Sequence, residues 1–291
     1  MALIALLEHS PAAFVAVSAV LGLMVGSFLN VVIHRLPVML ESEWRSQCRE
    51  LLELPAQTAG SGRTSLWWPP SACPHCGRRI RAWENIPLVS YAWLRGRCRG
   101  CSSAISWRYP TVEALSGLLT GLVAWHFGFD WAAAAAMLLS WTLIALSGID
   151  LDHQILPDNI TLPVMWLGLL ISLGAVFTDV RASLIGAAAG YLVLWSVFQL
   201  FRLLTGKEGM GYGDFKLLAL LGAWMGWQAL PVIVILSSLV GAVVGVALIA
   251  LRGHDRNIPI PFGPYIAAAG WIALLWRQDL IDAYLRWSGL A

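Results

Sequence analysis

Long uncharged apolar runs alternate with short polar segments along almost the whole chain, and one polar stretch, at residues 35–110, is much longer than the others. A hydrocarbon core of roughly 30 Å needs about 20 apolar residues per helix, so runs near that length are candidate membrane spans. The alternating pattern of a membrane β-barrel does not recur, which leaves helices as the structure that satisfies a lipid-facing backbone. The pattern predicts eight spans, at residues 11–33, 112–129, 131–149, 160–178, 182–201, 215–228, 229–251 and 258–276.

The composition supports the same fold class. Of 291 residues, 58% are hydrophobic and 12% are charged, and the mean hydropathy of +0.69 lies outside the usual range of soluble domains. We therefore predict an all-α polytopic membrane protein with about eight transmembrane helices. The first helix occupies residues 1–34, a small soluble insert follows at 35–110, and seven helices occupy 111–291. The sixth run is short for a full crossing. The first lacks a basic leading segment, so we expect it to remain in the mature protein.

The basic residues are unevenly distributed and indicate the topology. Of the 19 Lys and Arg residues, 11 lie between Arg35 and Arg108. The positive-inside bias places this stretch in the cytosol and the N-terminus outside. Because successive spans cross the membrane in alternating directions, the loops at 150–159 and 202–214 also lie on the cytosolic side. Charge leaves the topology of the last two spans open.

The insert contains two closely spaced cysteine pairs, Cys73 with Cys76 and Cys98 with Cys101, separated by 21 residues. Two C-x2-C pairs can supply four thiolates to a tetrahedral zinc ion, and Gly77 and Gly100 allow tight turns around them. Four ligands leave no open position, so such a zinc is structural. Disulfides, dithiol redox chemistry and nucleic-acid binding through the nearby arginines are the alternatives. Cys48 has no partner in the pattern.

Two aspartates border apolar runs on the predicted cytosolic side. Asp150 ends the third run in GIDLDHQILPDN, and Asp214 precedes the sixth in GMGYGDFK, whose glycines at 209, 211 and 213 indicate a flexible or strained backbone. If the two face each other, their like charges favour sharing one proton. The ionised member can then activate water while the protonated member acts as an acid, which is aspartic protease chemistry. The plainer alternative for Asp214 is a helix N-cap.

The other polar residues of these segments have simpler interpretations. Asp152 and Asp158 are expected to cap a helix or to be solvated in the loop, and His153 to be an interfacial residue. Lys216 is expected to extend toward the lipid headgroups. A divalent cation held by Asp150, Asp152, Asp158 and Asp214 is an alternative, since oxygen clusters suit Mg²⁺ or Ca²⁺.

In combination the motifs resemble a known family, the type IV prepilin peptidases, bifunctional bacterial inner-membrane enzymes of the GxGD aspartic protease class. The resemblance covers nearly the whole chain: GSFLNVVIHRLP (26–37), the cysteine pairs, ENIPLVSY, LRGRC, ISWRYPTVE (105–113), IDLDHQILPD, GYGDFK and PFGPY (261–265). It implies an eight-helix enzyme with Asp150 and Asp214 as catalytic residues. Such an enzyme removes the basic leader of prepilins and pseudopilins, after Gly and usually before Phe. It then methylates the new amino terminus with S-adenosylmethionine.

The methyltransferase site is indicated by the resemblance alone. No strand followed by G-x-G-x-x-G and a helix is present, so a Rossmann-type cofactor site is not expected. The resemblance suggests Gly26 and Asn30, with the cytosolic insert, as cofactor-binding residues. Glu113 either belongs to this site or is simply a helix-terminal acid. Close helix packing is the alternative role of Gly26 and Ser27.

Prepilins, pseudopilins and the bilayer are the expected partners, nucleic acid is not, and the oligomeric state is open.

Two competing hypotheses do not involve proteolysis. A proton- or cation-coupled transporter would use Asp150 and Asp214 as an ion relay. A scaffold would use the zinc insert to bind a cytosolic partner. The absence of an internal repeat argues against the transporter, and the scaffold leaves GYGD unexplained.

Overall fold

Helices form the framework of the chain in the computed structural model, which describes residues 2–54, 65–207, 209–252 and 261–289. Within these ranges the only β structure is two isolated bridges, so the predicted all-α class is confirmed. The α-helices are α1 (Ala2–His9), α2 (Pro11–Leu51), α3 (Val89–Trp93), α4 (Arg108–Phe127), α5 (Trp131–His153), α6 (Asp158–Ser172), α7 (Val180–Thr205), α8 (Tyr212–Met225), α9 (Leu230–Arg252) and α10 (Gly263–Ser288).

Each predicted span overlaps one of these helices, from α2 and then α4 through to α10. In the described ranges, four helical segments are long and apolar enough to cross a membrane by themselves: Pro11–Leu51, Trp131–His153, Val180–Thr205 and Trp227–Ala247. Several apolar helices of this kind fit a multi-pass membrane protein.

The first helix is longer than the hydrophobic pattern predicts. Helix α2 continues through Pro37 to Leu51, well beyond the end of the first apolar run. The mixed-charge segment from Glu41 is therefore helical up to Leu51, with residues 41–48 exposed. Its many Glu, Arg and Gln residues are good helix formers, and they follow directly from a helix that is already nucleated. The AQTAGSG segment lies outside the described residues.

The chain divides into two compact units, residues Met1–Phe129 and Asp130–Ala291. In the first unit, α2 and α4 pack together along small residues. A Cβ on Gly22 would lie 2.5 Å from Thr120 Oγ1, and one on Gly117 would lie 2.7 Å from Leu23 Cδ2. The Ser116 hydroxyl also donates a 2.6 Å hydrogen bond to the Gly22 carbonyl. Small residues thus let the two helix backbones approach, as in other membrane helix pairs.

In the second unit, α8 is the central helix. All its residues from Asp214 to Met225 except Lys216 are buried, and it packs against α6, α7 and α10. At about 1.5 Å per residue its 14 residues extend about 21 Å, which is less than the roughly 30 Å of a hydrocarbon core. The sixth run is therefore apolar because protein surrounds it. Its closest neighbour is α7, where the backbones meet at Gly186 and Gly222.

Candidate active site and metal centre

The two predicted catalytic aspartates lie at helix ends within the second unit. Asp150 is in the last turn of α5 and Asp214 in the first turn of α8, and their side chains are buried, with 5% and 7% of their surface exposed. Asp214 is not the N-cap of α8, because Gly211 occupies that position. The capping alternative is therefore wrong, although a carboxylate in the first turn still benefits from the helix dipole.

The structure brings these two carboxyl groups together. Gly213, which precedes Asp214, and Gly263, which binds Asp150, both lie against Leu156, and Asp150 acts electrostatically on Asp214. A third segment completes the site, since the backbone amide of Gly263, the first residue of α10, donates a 3.0 Å hydrogen bond to Asp150 Oδ2. The end of α5, the start of α8 and the start of α10 thus converge on one point. A buried charge of this kind is costly unless it is paired or has a function.

Leu156 packs between the glycines of this site. A Cβ on Gly213 would lie 2.8 Å from Leu156 Cβ, and one on Gly263 would lie 3.3 Å from Leu156 Cδ1. The glycines at 209, 211 and 213 do not adopt a positive φ, so the structure gives no sign of strain there, and their predicted flexibility stays a prediction. In the GYGD motif, Gly213 is required for space. Leu156 could not be singled out from the sequence, in which PFGPY was only a motif without an assigned role.

Asp158 and Lys216 form an ion pair in the segments that follow Asp150 and Asp214, the two aspartates that we call the dyad. Lys216 Nζ lies 2.6 and 2.7 Å from the two Asp158 carboxylate oxygens. Asp158 does not cap α6, because Pro157 is its N-cap, but Asp158 is exposed, which agrees with the solvated alternative. The extension of Lys216 toward the headgroups stays a prediction. Asp152 and His153 are exposed at the end of α5. In the part of the chain that the structure describes, the four acids do not converge as a divalent-cation site.

The four predicted metal ligands lie on two similar turns of the first unit. Each turn is closed by one antiparallel bridge, Ala72 with Arg79 around the first cysteine pair and Arg97 with Ala104 around the second. All four sulfur atoms lie within 4.8 Å of one another, and Cys73 Sγ and Cys101 Sγ are 3.8 Å apart. Tetrahedral zinc with bonds of about 2.3 Å places its sulfurs about 3.8 Å apart, so the donor set fits zinc.

Residues with a left-handed backbone conformation, which has a positive φ, shape these turns. Gly77 follows the first pair with φ +67°, and Ser102 occupies the same position after the second pair with φ +58°. Gly100, predicted to allow the second turn, instead serves by its small size and its amide. Its N–H donates to Cys98 Sγ at 3.4 Å, and a Cβ there would lie 3.4 Å from Cys76 Sγ. Amides directed at sulfur stabilise thiolates.

The electrostatics of the thiols favour a bound cation. Hydrogen bonds from the amides of Cys76 and then His75 lower the pKa of Cys73 to about 6. The Arg78 amide lowers the pKa of Cys76, but burial and the neighbouring thiols outweigh it and raise that pKa to about 11. Four crowded thiols therefore do not ionise together unless a cation compensates their charge. Cys48 is exposed and takes no part in the cluster.

A buried ion pair supports the first turn. Arg78 Nη2 contacts Glu84 Oε1 at 2.5 Å, and the Arg81 amide donates to Glu84 Oε2 at 3.1 Å. These hydrogen bonds, led by that of Arg78, lower the pKa of Glu84. The pair connects the loop after Cys76 to the short helical turn at Ala82–Asn85.

The residues suggested for the methyl-donor site lie together where α2 meets α4. A Cβ on Gly26 would lie 2.8 Å from Glu113 Cα, and Asn30 Nδ2 donates to the carbonyls of Gly26 and Tyr109. The Glu113 carboxylate accepts a 2.9 Å hydrogen bond from the Leu88 amide. In the structure these side chains join the two helices and the insert. The close-packing role of Gly26 is thus the one its surroundings support, and cofactor binding by the three residues stays a prediction.

Both units match known protein families. Residues 20–127 match the Bacterial Peptidase A24 N-terminal domain, and residues 137–246 match the Type IV leader peptidase family. Three relatives named prepilin leader peptidase/N-methyltransferase match over almost their whole length. The protein of Stutzerimonas stutzeri is 57% identical over 98% of both chains. That of Pseudomonas aeruginosa is 56% identical over 99% of both, and that of Aeromonas hydrophila is 55% identical over 98% of this chain and 99% of its own.

The chain belongs to the prepilin leader peptidase/N-methyltransferase family. Membership of this family identifies it as an enzyme, and the transporter hypothesis finds no support among these relatives. Asp150 and Asp214 fall within the region matched by the Type IV leader peptidase family, and the four cysteines fall within the N-terminal match. No solved structure gives a significant match to this member of the prepilin leader peptidase/N-methyltransferase family.

Proposed function

We propose that the chain removes the basic leader from type IV prepilins and pseudopilins by intramembrane aspartic proteolysis and then methylates the new amino terminus. The convergence of two buried aspartates within the second unit is the observation that carries this proposal. The names of the relatives supply the substrate class and the second activity. In this proposal residues 111–291 act as the peptidase domain, and residues 35–110 form the insert.

Asp150 and Asp214 are the catalytic pair in this proposal. One carboxylate takes a proton from a water molecule, which attacks the scissile carbonyl carbon. The other carboxyl group, which carries the shared proton, donates that proton to the carbonyl oxygen. When the tetrahedral intermediate collapses, the proton taken from water passes to the leaving amine, and a hydroxyl of the intermediate returns a proton to the second carboxylate. The Gly263 amide holds Asp150 Oδ2 in place during these steps. A scissile glycine leaves room for an extended substrate backbone between the two acids.

The charge pattern supports an inner-membrane location with the active site at the cytosolic face. A prepilin presents its basic leader on the cytosolic side, and the long basic stretch from Arg35 to Arg108 favours that side too. This topology places the N-terminus in the periplasm. It also brings the scissile bond, where the substrate helix leaves the bilayer, to the depth of helix ends such as those that carry Asp150 and Asp214.

One structural zinc bound by Cys73, Cys76, Cys98 and Cys101 completes the insert. The sulfur spacing and the directed amides support this assignment. Four protein ligands leave no position for substrate, so the metal acts by joining the two turns.

S-adenosylmethionine, when bound, supplies an electrophilic methyl group to the new terminal amine. Gly26 is covered by α4, and the polar groups of Asn30 and Glu113 have protein partners. The structure therefore provides no open cofactor cradle at these residues, and no step of methyl transfer is assigned to them.

Mass analysis of a prepilin incubated with the purified protein and isotope-labelled S-adenosylmethionine tests both activities together. We expect a product shortened by its leader and heavier by one labelled methyl group. Unchanged prepilin, under conditions in which a known family member cleaves it, would contradict the proposal.

A further inference from the structure

A wide cleft of about 860 Å³ opens beside the second cysteine pair of the insert. Two tryptophans and three arginines dominate its walls: Trp83, Trp93, Arg95, Arg97 and Arg99. The zinc assignment uses none of these side chains, and neither does the dyad. The combination of flat apolar surface and guanidinium groups is suited to an anionic ligand with an apolar part.

The arginines of this cleft have no direct carboxylate partner in the described residues. The nearby Glu84 is engaged by Arg78, while Arg99 lies 4.9 Å from the centre of the Trp83 ring. The cysteine cluster offers some negative charge, but it touches the cleft only through Cys98. Three guanidinium groups without a carboxylate ion pair therefore line an open wall.

The insert is held close to the membrane helices of its own unit. Trp67 stacks on Phe28 of α2 with ring centres 5.4 Å apart, and Arg35 donates hydrogen bonds to the carbonyls of Ser65 and Pro69. On the other side, the Leu88 amide is bound by Glu113 of α4, one residue before α3 begins. These contacts hold the segment that leads into the cleft next to the ends of α2 and α4, and we infer that it lies near the edge of the bilayer that these helices are predicted to cross.

Exposed tryptophans on the insert are suited to that position. Trp67 and Trp93 each have 81% of their surface exposed, and Trp107, just before α4, has 73% exposed. Tryptophan is enriched at membrane–water interfaces, and basic residues directly beside a membrane helix attract anionic lipid. The segment from Trp93 to Arg99, which lines the cleft, contains both an exposed tryptophan and basic residues.

We propose that this Trp/Arg cleft binds the phosphate-bearing headgroup of an anionic glycerophospholipid. The arginines bind the phosphate oxygens, and Trp93 lies along the glycerol and upper acyl region. Binding holds the insert against the membrane surface next to α4. Charge complementarity and the position at the membrane edge select a lipid over a soluble anion.

Native mass spectrometry of the full-length protein in neutral detergent tests this proposal with phosphatidylglycerol and phosphatidylcholine as probes. We expect one phosphatidylglycerol to be retained at concentrations that leave phosphatidylcholine unbound. The triple variant Arg95→Gln, Arg97→Gln, Arg99→Gln should weaken this binding at least tenfold. The matched variant Arg45→Gln, Arg202→Gln, Arg286→Gln removes the same charge elsewhere and should bind like wild type. Trp93→Ala, which leaves every arginine in place, should weaken it several-fold.

Undiminished phosphatidylglycerol binding by both the triple arginine variant and Trp93→Ala would overturn the proposal. Equal retention of the two lipids by wild type would do the same, because it would show that the guanidinium groups do not select an anion. Full displacement of the lipid by millimolar inorganic phosphate would identify a free anion as the ligand instead of a headgroup.

Discussion

Gly263 is the residue that best explains how Asp150 is held. Its amide hydrogen bond reaches Asp150 across 113 positions of sequence, and a Cβ at this position would lie 2.6 Å from the carboxylate oxygen. Any side chain here must therefore push the carboxylate away from the amide. Both the small size and the N–H group of this residue serve the site.

We predict that Gly263→Ala lowers kcat for leader cleavage by about 10- to 100-fold, equivalent to about 1.4 to 2.8 kcal/mol of barrier, with little change in KM. The displaced carboxylate is the physical reason, since the substrate itself still binds. Steady-state kinetics on the purified variant measure the effect. Gly174→Ala is the matched control, because a Cβ there meets only ordinary contacts at 3.6 Å. Equal kinetics for the two variants would refute the positioning role.

The cysteines allow an equally local test of the metal centre. We predict one zinc per chain in the purified protein and a loss of most of it in Cys73→Ser, because three thiolates leave the tetrahedral site incomplete. Elemental analysis by mass spectrometry measures the stoichiometry. Cys48→Ser, which alters an exposed thiol outside the cluster, should keep its zinc. A zinc-free wild-type protein would rule out the structural-metal assignment.

At the scale of single residues, the sequence indicated the chemistry better than the contacts. Asp150, Asp214 and the four cysteines could be selected because acids beside apolar runs and paired thiols are rare patterns with few explanations. The roles of Leu156 and Gly263 could not, since a leucine and a glycine in apolar surroundings have many structural uses. Their significance comes from contacts between segments that are far apart in sequence.

Among the elements, helices α6 and α8 are connected near their N-terminal ends by the Asp158–Lys216 pair. The pair is partly exposed, so its contribution to stability is modest, in the range of about 0–1 kcal/mol. Its position matters more than its strength. It joins the segment after Asp150 to the turn that carries Asp214.

We predict that Asp158→Asn and Lys216→Gln each reduce kcat/KM several-fold, and that the double variant loses no more than either single variant. A double-mutant cycle on leader cleavage measures this coupling, with an expected value of about 0.5–1 kcal/mol. The reason is that either change alone already frees the two segments. Strictly additive losses would show that the residues act independently of each other.

Hydrophobic run length predicted where the helices lie but not what surrounds them. The sixth run is apolar like the others, yet α8 is enclosed by protein and its 14 residues need not cross the bilayer. Hydropathy cannot distinguish the two cases, because lipid and a protein interior select the same side chains. The extension of α2 to Leu51 was missed for the opposite reason, since its charged residues resemble a loop.

At the scale of the whole molecule, the two candidate centres belong to different units. The cysteines and the Trp/Arg cleft lie in residues Met1–Phe129, whereas Asp150, Asp214 and Gly263 lie in Asp130–Ala291. The two matched family regions follow a similar division of the chain. Each unit has its own buried contacts, so damage to one need not unfold the other.

This division predicts a separation of the two activities. Cysteine variants such as Cys73→Ser should reduce methylation, or the yield of folded protein, more than they reduce leader cleavage per folded molecule. Mass analysis of the pilin product distinguishes cleaved and unmethylated chains from cleaved and methylated ones. A folded cysteine variant that loses cleavage while it keeps methylation of a pre-cleaved pilin would contradict this assignment.

We propose that Asp150 and Asp214 act as one catalytic pair, and leader cleavage by three single Asn variants that remain folded and membrane-inserted tests this pairing. Asp150→Asn and Asp214→Asn should each lower the cleavage rate by at least about 1,000-fold, in the range expected for loss of acid–base catalysis. Asp152→Asn alters an exposed carboxylate only two residues away and should cleave at close to the wild-type rate. Full cleavage by either dyad variant would contradict the account.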